Sequence, residues 1–337
     1  MSEYTTDFKK YLTRSAESIV KSIVKSTLSN PRESTFILKF SASMKNADSR
    51  RKKWESEGEQ IPAFLICSIT NSCSMPWSGC YPDAENSCKD NSDGEELTAS
   101  DWEKVFRDAA EVGIGFIILA GEEAMARRDV LEVATKFPEI IFAVFADATV
   151  IDKSMVMLLD RHRNIVPVLI IEDEAEQANE RREKVLGRQI DGALAQLRSK
   201  RIIFASSVIA TAQNYSVVAQ DRFVSALYKS GCRIVLFSEP AAADKQSDYA
   251  HLGNKERELL LQNVRRLRSG KNNMLYICLP HDWSALGECL AAGTGFIHID
   301  STGGASSCPF SSDSDFNILG YSLRLAFKAI MSDAQKE

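Results

Sequence analysis

The chain has 337 residues, 44% of them hydrophobic and 26% charged. That balance excludes a disordered chain and is enough for one large α/β domain with an accessory segment, or for two ordinary domains. The formal net charge of −5 gives no general reason to expect nucleic acid or a membrane surface as partner.

No apolar stretch approaches the ~18 residues a spanning helix needs. The N-terminal MSEYTTDFKK lacks the apolar centre of a secretory signal, so the expected location is cytoplasmic. Eight cysteines in such a chain read as reduced thiols, not a disulfide framework. Cys232, Cys278 and Cys289 lie in apolar or helical contexts and read as buried packing residues.

From the N-terminus, Leu12, Ala16, Ile19, Val20, Ile23, Val24 and Leu28 have the spacing of an amphipathic helix. Ser29-Asn30-Pro31 stops it and starts another, because proline suits the first helical turn. The second helix carries Phe36, Ile37, Phe40 and Met44. Residues 47–60 are charged and read as a linker or an exposed helix, with Arg50-Arg51-Lys52-Lys53 as a solvated basic run. The first 60 residues carry a net +4 and the remainder −9.

From residue 61 short apolar runs alternate with helical stretches. The runs are AFLICSIT (63–70), GFIILAG (115–121), IIFAVFA (140–146), IVPVLIIE (165–172), RIIFASSVIA (201–210) and CRIVLFSE (232–239), with MLYICLP (274–280) and GFIHID (295–300) after them. Between them lie amphipathic helices such as DWEKVFRDAAEVG, capped by Ser100 or Asp101, and VVAQDRFVSALYKSG, ended by Gly231. Near-continuous apolar strands separated by helices predict a parallel sheet. Six such units in a row predict a closed or nearly closed barrel, with ligands met by the loops after the strands.

The first of those loops, NSCSMPWSGCYPDAENSC (71–88), holds Cys73, Cys80 and Cys88. Cys73 and Cys80 flank Trp77 in the spacing C-x3-W-x2-C; a cysteine at 77 would complete a three-thiolate motif. IPAFLICSITNSC, then GCY, then LAGEEAMARRDV, then GFIHIDSTGGASSCPFS resemble a subgroup of the radical S-adenosylmethionine (SAM) superfamily, in order and over nearly the whole chain from residue 61. The resemblance implies an α/β fold: a partial (β/α)6 barrel of the TIM type over 61–300. An N-terminal helical segment and linker (1–60) would precede it, and a C-terminal extension with the Cys308 loop and a helix (301–337) would follow. It further implies a [4Fe–4S] cluster on three cysteines, SAM bound to the remaining iron, and reductive cleavage of SAM to a 5′-deoxyadenosyl radical. Cys73, Cys80 and Cys88 become the expected metal ligands. Gly121, Glu122, Glu123, Thr149 and Glu172 become the expected cofactor-binding residues.

The chain departs from the family pattern at each of these loops. Trp77 takes the middle ligand position, and indole has no thiolate to give an iron. The family's Gly-Gly-Glu-Pro reads Gly121-Glu122-Glu123-Ala124, a Thr-Asn-Gly-Thr type of turn reads Ala146-Asp147-Ala148-Thr149, a Glu-Gly pair reads Glu172-Asp173, and an Arg-Arg-Gly reads Arg181-Arg182-Glu183. These changes put binding of both cluster and SAM in question. The expected function is that of a degenerate, catalytically impaired relative, a pseudoenzyme or regulatory partner of an intact radical SAM enzyme or another protein. Two alternatives stay open. One is an active enzyme with Cys88 or Cys308 as substitute ligand; the other is a thiolate zinc or redox site on the same barrel. His298 reads as a packed polar residue, and Arg127-Arg128-Asp129 as surface ion pairs of little energy.

Overall fold

A computed structural model describes residues 31–62, 64–70, 95–121, 124–146, 150–171, 192–239, 251–270, 273–278, 296–307 and 316–333. The expected first helix, over 8–28, lies outside them. The described chain opens with α1 (Pro31–Ser56), which begins at the proline that the sequence marks as a first-turn residue. Residues 47–56 belong to this helix, and Ala47 is buried. Arg51 is not a solvated base: its Nη1 donates to the carbonyl of Gly113 at 2.6 Å.

Strand β1 (Phe64–Ser68) is followed by α2 (Ala99–Val112), β2 (Phe116–Ala120), α3 (Arg128–Ala134) and β3 (Ile141–Ala146). Then come α4 (Lys153–Arg161), β4 (Ile165–Ile171), a helix α5 over 192–199 and β5 (Phe204–Ile209). The short α6 (Tyr215–Val218), α7 (Asp221–Ser230), β6 (Cys232–Ser238), α8 (Asn254–Ser269) and β7 (Leu275–Cys278) continue the alternation. β8 (Phe296–Ile299), β9 (Gly304–Ser306), β10 (Phe316–Asn317) and α9 (Leu323–Asp333) complete it.

All eight expected strands are present, and β9 and β10 are additions that periodicity does not reveal. The sheet order is β10-β9-β8-β1-β2-β3-β4-β5-β6-β7. Strands β8 and β1 to β7 run parallel, while β9 and β10 pair antiparallel. The partial barrel is therefore open: β7 and β10 stand at opposite ends of the sheet.

The two faces of the strands enter separate cores. Alternate residues, among them Leu65, Cys67, Leu119, Phe142, Val144 and Val208, pack with helix residues such as Trp102, Phe106, Leu131, Leu159 and Val264. The other set, Ile66, Ile118, Ala143, Phe145, Val168, Ala205 and Phe296, forms a cluster made of strands alone. A sheet with helices on one face and only strand side chains on the other is one curled around its own interior. At its base Phe64 stacks on Phe296 at 5.4 Å and meets Phe116 edge-on at 6.1 Å, so three neighbouring strands each bring an aromatic ring to this face.

Helix α2 shows how local chemistry fixes an element. Thr98 is its N-cap and forms a reciprocal capping box with Asp101, so the cap lies before the expected Ser100 or Asp101. The box satisfies backbone donors that the first turn leaves open. Trp102, Val105, Phe106, Ala109 and Val112 then recur on one buried face. Burying side chains as large as Trp102 and Phe106 contributes about 1.5–3 kcal/mol each.

Candidate functional site

The ends of β1 to β4 lead into residues 71–94, 122–123, 147–149 and 172–191. Cys73, Trp77, Cys80, Cys88, Glu122, Glu123, Thr149, Glu172, Asp173 and Cys308 lie outside the described residues. The described part of the site is the frame these segments start from. Because the four strands are adjacent and parallel, their starting points share one end of the sheet, where ligands of such folds are met.

Gly121 is the one expected cofactor residue that the structure describes. Its φ is +129°, and a Cβ there would overlap the Thr70 side-chain oxygen. Next to it the Ile69 amide donates to the Ala120 carbonyl at 2.9 Å, carrying the β1–β2 pairing one residue past the strand. The glycine requirement therefore comes from the fold: only a residue without Cβ lets the chain turn off β2 against Thr70.

Arg127 was expected at the surface, and it is instead largely enclosed, with 18% of its side chain exposed. Its Nη1 donates to the Ile69 carbonyl at 2.6 Å and to Glu96 Oε2 at 3.1 Å. Its Nη2 donates to the Leu97 carbonyl at 3.2 Å and to Asp129 Oδ2 at 3.0 Å, and Nε reaches Asp129 Oδ1 at 3.1 Å. Arg127 is the first cause holding the Asp129 carboxyl below its usual range. Arg128 does match the surface expectation, pairing with the exposed Asp152 at 3.1 Å.

The end of β8 closes the frame. Asp300 Oδ1 accepts from the Thr302 amide and hydroxyl and from the Gly304 amide, each at 2.8 Å. This carboxylate-centred turn, with Gly303 at φ +92°, sends the chain back as β9. The Leu97 amide donates to the Ser301 carbonyl at 2.7 Å, so the chain returning from 71–94 is tied to the β8–β9 turn as well as to Arg127.

Below this rim, in the barrel interior, Ser68 Oγ and His298 Nε2 are joined by a hydrogen bond of 2.9 Å. His298 is 8% exposed. Burial lowers its pKa to about 4, against a smaller opposing effect of the Asp300 charge. His298 is the packed polar residue that the strand alternation predicts. Ser68, its partner, carries no sequence signal beyond facing the same way.

Cys73 and Cys80 are two of the motif's three thiolates, Trp77 offers a donor N–H only, and Cys88 and Cys308, which could supply a third, lie outside the described residues. The described cysteines are no replacement. Cys67, Cys232 and Cys278 are buried in the core between sheet and helices, facing away from the lumen. Burial pushes Cys67 well above the usual thiol range and Cys232 up to about 11, so both stay protonated. Among the described residues no group of three His, Cys, Asp or Glu side chains is arranged to hold a metal ion, and no helix is long and apolar enough to cross a membrane.

Comparison with known proteins agrees with this architecture. SuiB of Streptococcus suis, solved with S-adenosylmethionine bound, superposes with a TM-score of 0.64 over 86% of this chain and 71% of its own, at 16% identity. The enzyme anSMEcpe, solved with AdoMet and a peptide, gives 0.55 over 81% of this chain and 83% of its own, at 12% identity. In sequence, a PqqA peptide cyclase of Bradyrhizobium diazoefficiens is 32% identical over 72 residues, a segment covering 21% of this chain and 18% of the relative. No family model matches the chain. The fold is that of the radical SAM enzymes, as the motif order predicts.

Proposed function

We propose that this protein is a member of the radical SAM superfamily whose own cofactor site is degenerate, acting as a binding or regulatory partner and not as an independent catalyst. The observation that carries the reading is a contrast between two kinds of position. Gly121, which the fold itself needs against Thr70, is kept. Positions whose glycine or cysteine the family pattern gives to the cofactor are changed: Trp77 stands for a ligand, Glu122 and Asp173 stand for glycines, and Glu183 stands where the pattern has Arg-Arg-Gly. Selection for the scaffold without selection for the cofactor leaves that pattern.

The partner class we favour is a polypeptide. SuiB is described bound to the precursor peptide SuiA, anSMEcpe is described with a peptide, and the sequence relative is a peptide cyclase. A chain that keeps this fold while losing the cluster motif retains a frame suited to a peptide or to an intact relative that modifies one. Cys88 and Cys308 support the second reading, an active enzyme with a substitute ligand.

Iron counting after anaerobic reconstitution with iron and sulfide separates the two. A site with two motif thiolates is expected to hold substoichiometric iron and weak visible absorbance. Full, stable loading with an EPR-active reduced cluster would overturn the degenerate reading, and Cys88→Ala and Cys308→Ala would then identify the substitute.

A further inference from the structure

We infer that Arg127 is a positioning residue that couples the two loops at the cofactor end of β1 and β2, making them one mechanical unit. Its five contacts use all five guanidinium N–H groups. Two of the acceptors are backbone carbonyls, at Ile69 where the chain leaves β1 and at Leu97 where it returns to α2. The donor itself sits on the segment after β2, between Gly121 and α3. One side chain thus joins the departure, the return and the neighbouring loop, across sequence separations of 58 and 30 residues.

The inference rests on reading this end of the sheet as the functional face, and it specifies how that face responds. A ligand or partner that shifts the loop after β2 must either move the 69–97 stem with it or break these bonds. Carbonyl contacts are independent of the identity of the loop side chains, so the coupling survives changes at Trp77 or Glu122. A lysine could not substitute, since a point ammonium with three donors cannot span two carbonyls and two carboxylates as a planar fork does.

Hydrogen–deuterium exchange on the full chain tests this at the Ile69 and Leu97 amides, which bond to Ala120 and Ser301. Arg127→Gln is expected to speed exchange of both about tenfold, equivalent to ~1.4 kcal/mol of local opening, with β5 and β6 unchanged. Arg127→Lys is expected to behave like Arg127→Gln. Unchanged exchange at either end, acceleration spread evenly over the sheet, or rescue by lysine would each overturn the inference. If Arg127→Gln fails to fold, Arg127→Lys, which keeps the positive charge but not the planar fork, is read alone. Faster exchange confined to Ile69 and Leu97 then supports the coupling, and none rejects it. Full iron loading of the unmutated chain would sink the degenerate-site reading while leaving this exchange result intact, so the two fail separately.

Discussion

At the residue scale, Gly121 and Thr70 show a motif position doing the work of the backbone. The left-handed φ and the overlap a Cβ would meet act together, so Gly121→Ala is expected to cost ~2 kcal/mol or more, read as a lower urea midpoint at unchanged slope. Thr70→Ala in that background should recover part of the loss. It removes the overlapping hydroxyl but leaves the Thr70 backbone nitrogen 3.2 Å from the added carbon. Equal stability of Gly121→Ala and the unmutated chain would mean that this glycine is not demanded by the fold, and the contrast with Trp77 and Glu122 would lose its force. Arg127 illustrates the opposite case for sequence reading. Besides Glu96 and Asp129 its partners are the carbonyls of Ile69 and Leu97, which carry no side-chain code, so the Arg-Arg-Asp run reads as a surface cluster until the chain is folded.

At the scale of elements, β1 and β8 are adjacent although the whole barrel lies between them in sequence, and Ser68 and His298 are the polar pair they share. The pKa of His298 is lowered from 6.5 to about 4 by burial. Between those two values the unfolded chain binds the proton and the folded chain does not, so stability rises with pH through this window. The contribution is complete above about pH 6.5 and is lost as pH falls toward 4; for so buried a group it is on the order of 3 kcal/mol. His298→Gln is expected to reduce the slope of the stability profile between pH 4 and 6.5, leaving the part due to His162, whose pKa burial also lowers. The lowered carboxyls of Asp101 and Asp152 act below about pH 4 and do not overlap it. An unaltered slope in the variant would show that His298 does not carry the dependence. The strands themselves were legible, because runs such as IIFAVFA and IVPVLII are buried on both faces and leave near-continuous apolar sequence. Strands β9 and β10 were not: three and two residues long, Gly304-Ala305-Ser306 and Phe316-Asn317 are too short for any period to show.

At the scale of the whole molecule, the degenerate-site reading predicts that several positions, not one, keep the cofactor out. Of the departures from the radical SAM pattern, those at 77, 122, 148, 173 and 183 lie outside the described residues, and Ala124 is buried in the core between sheet and helices. On the proposed reading the departures follow four different strands in sequence, so repairing one position is not expected to restore the site. Trp77→Cys completes C-x3-C-x2-C and is expected to raise iron per chain after anaerobic reconstitution. SAM affinity, measured by calorimetry on that loaded variant, is expected to stay more than about tenfold weaker, ~1.4 kcal/mol, than in the triple variant that adds Glu122→Gly and Asp173→Gly. Both added changes remove a negative charge and side-chain bulk where the family pattern has glycine and backbone can approach a ligand. If Trp77→Cys alone binds SAM as tightly as the triple variant, the glycine losses are silent. The site would then carry a single lesion on an otherwise intact radical SAM frame.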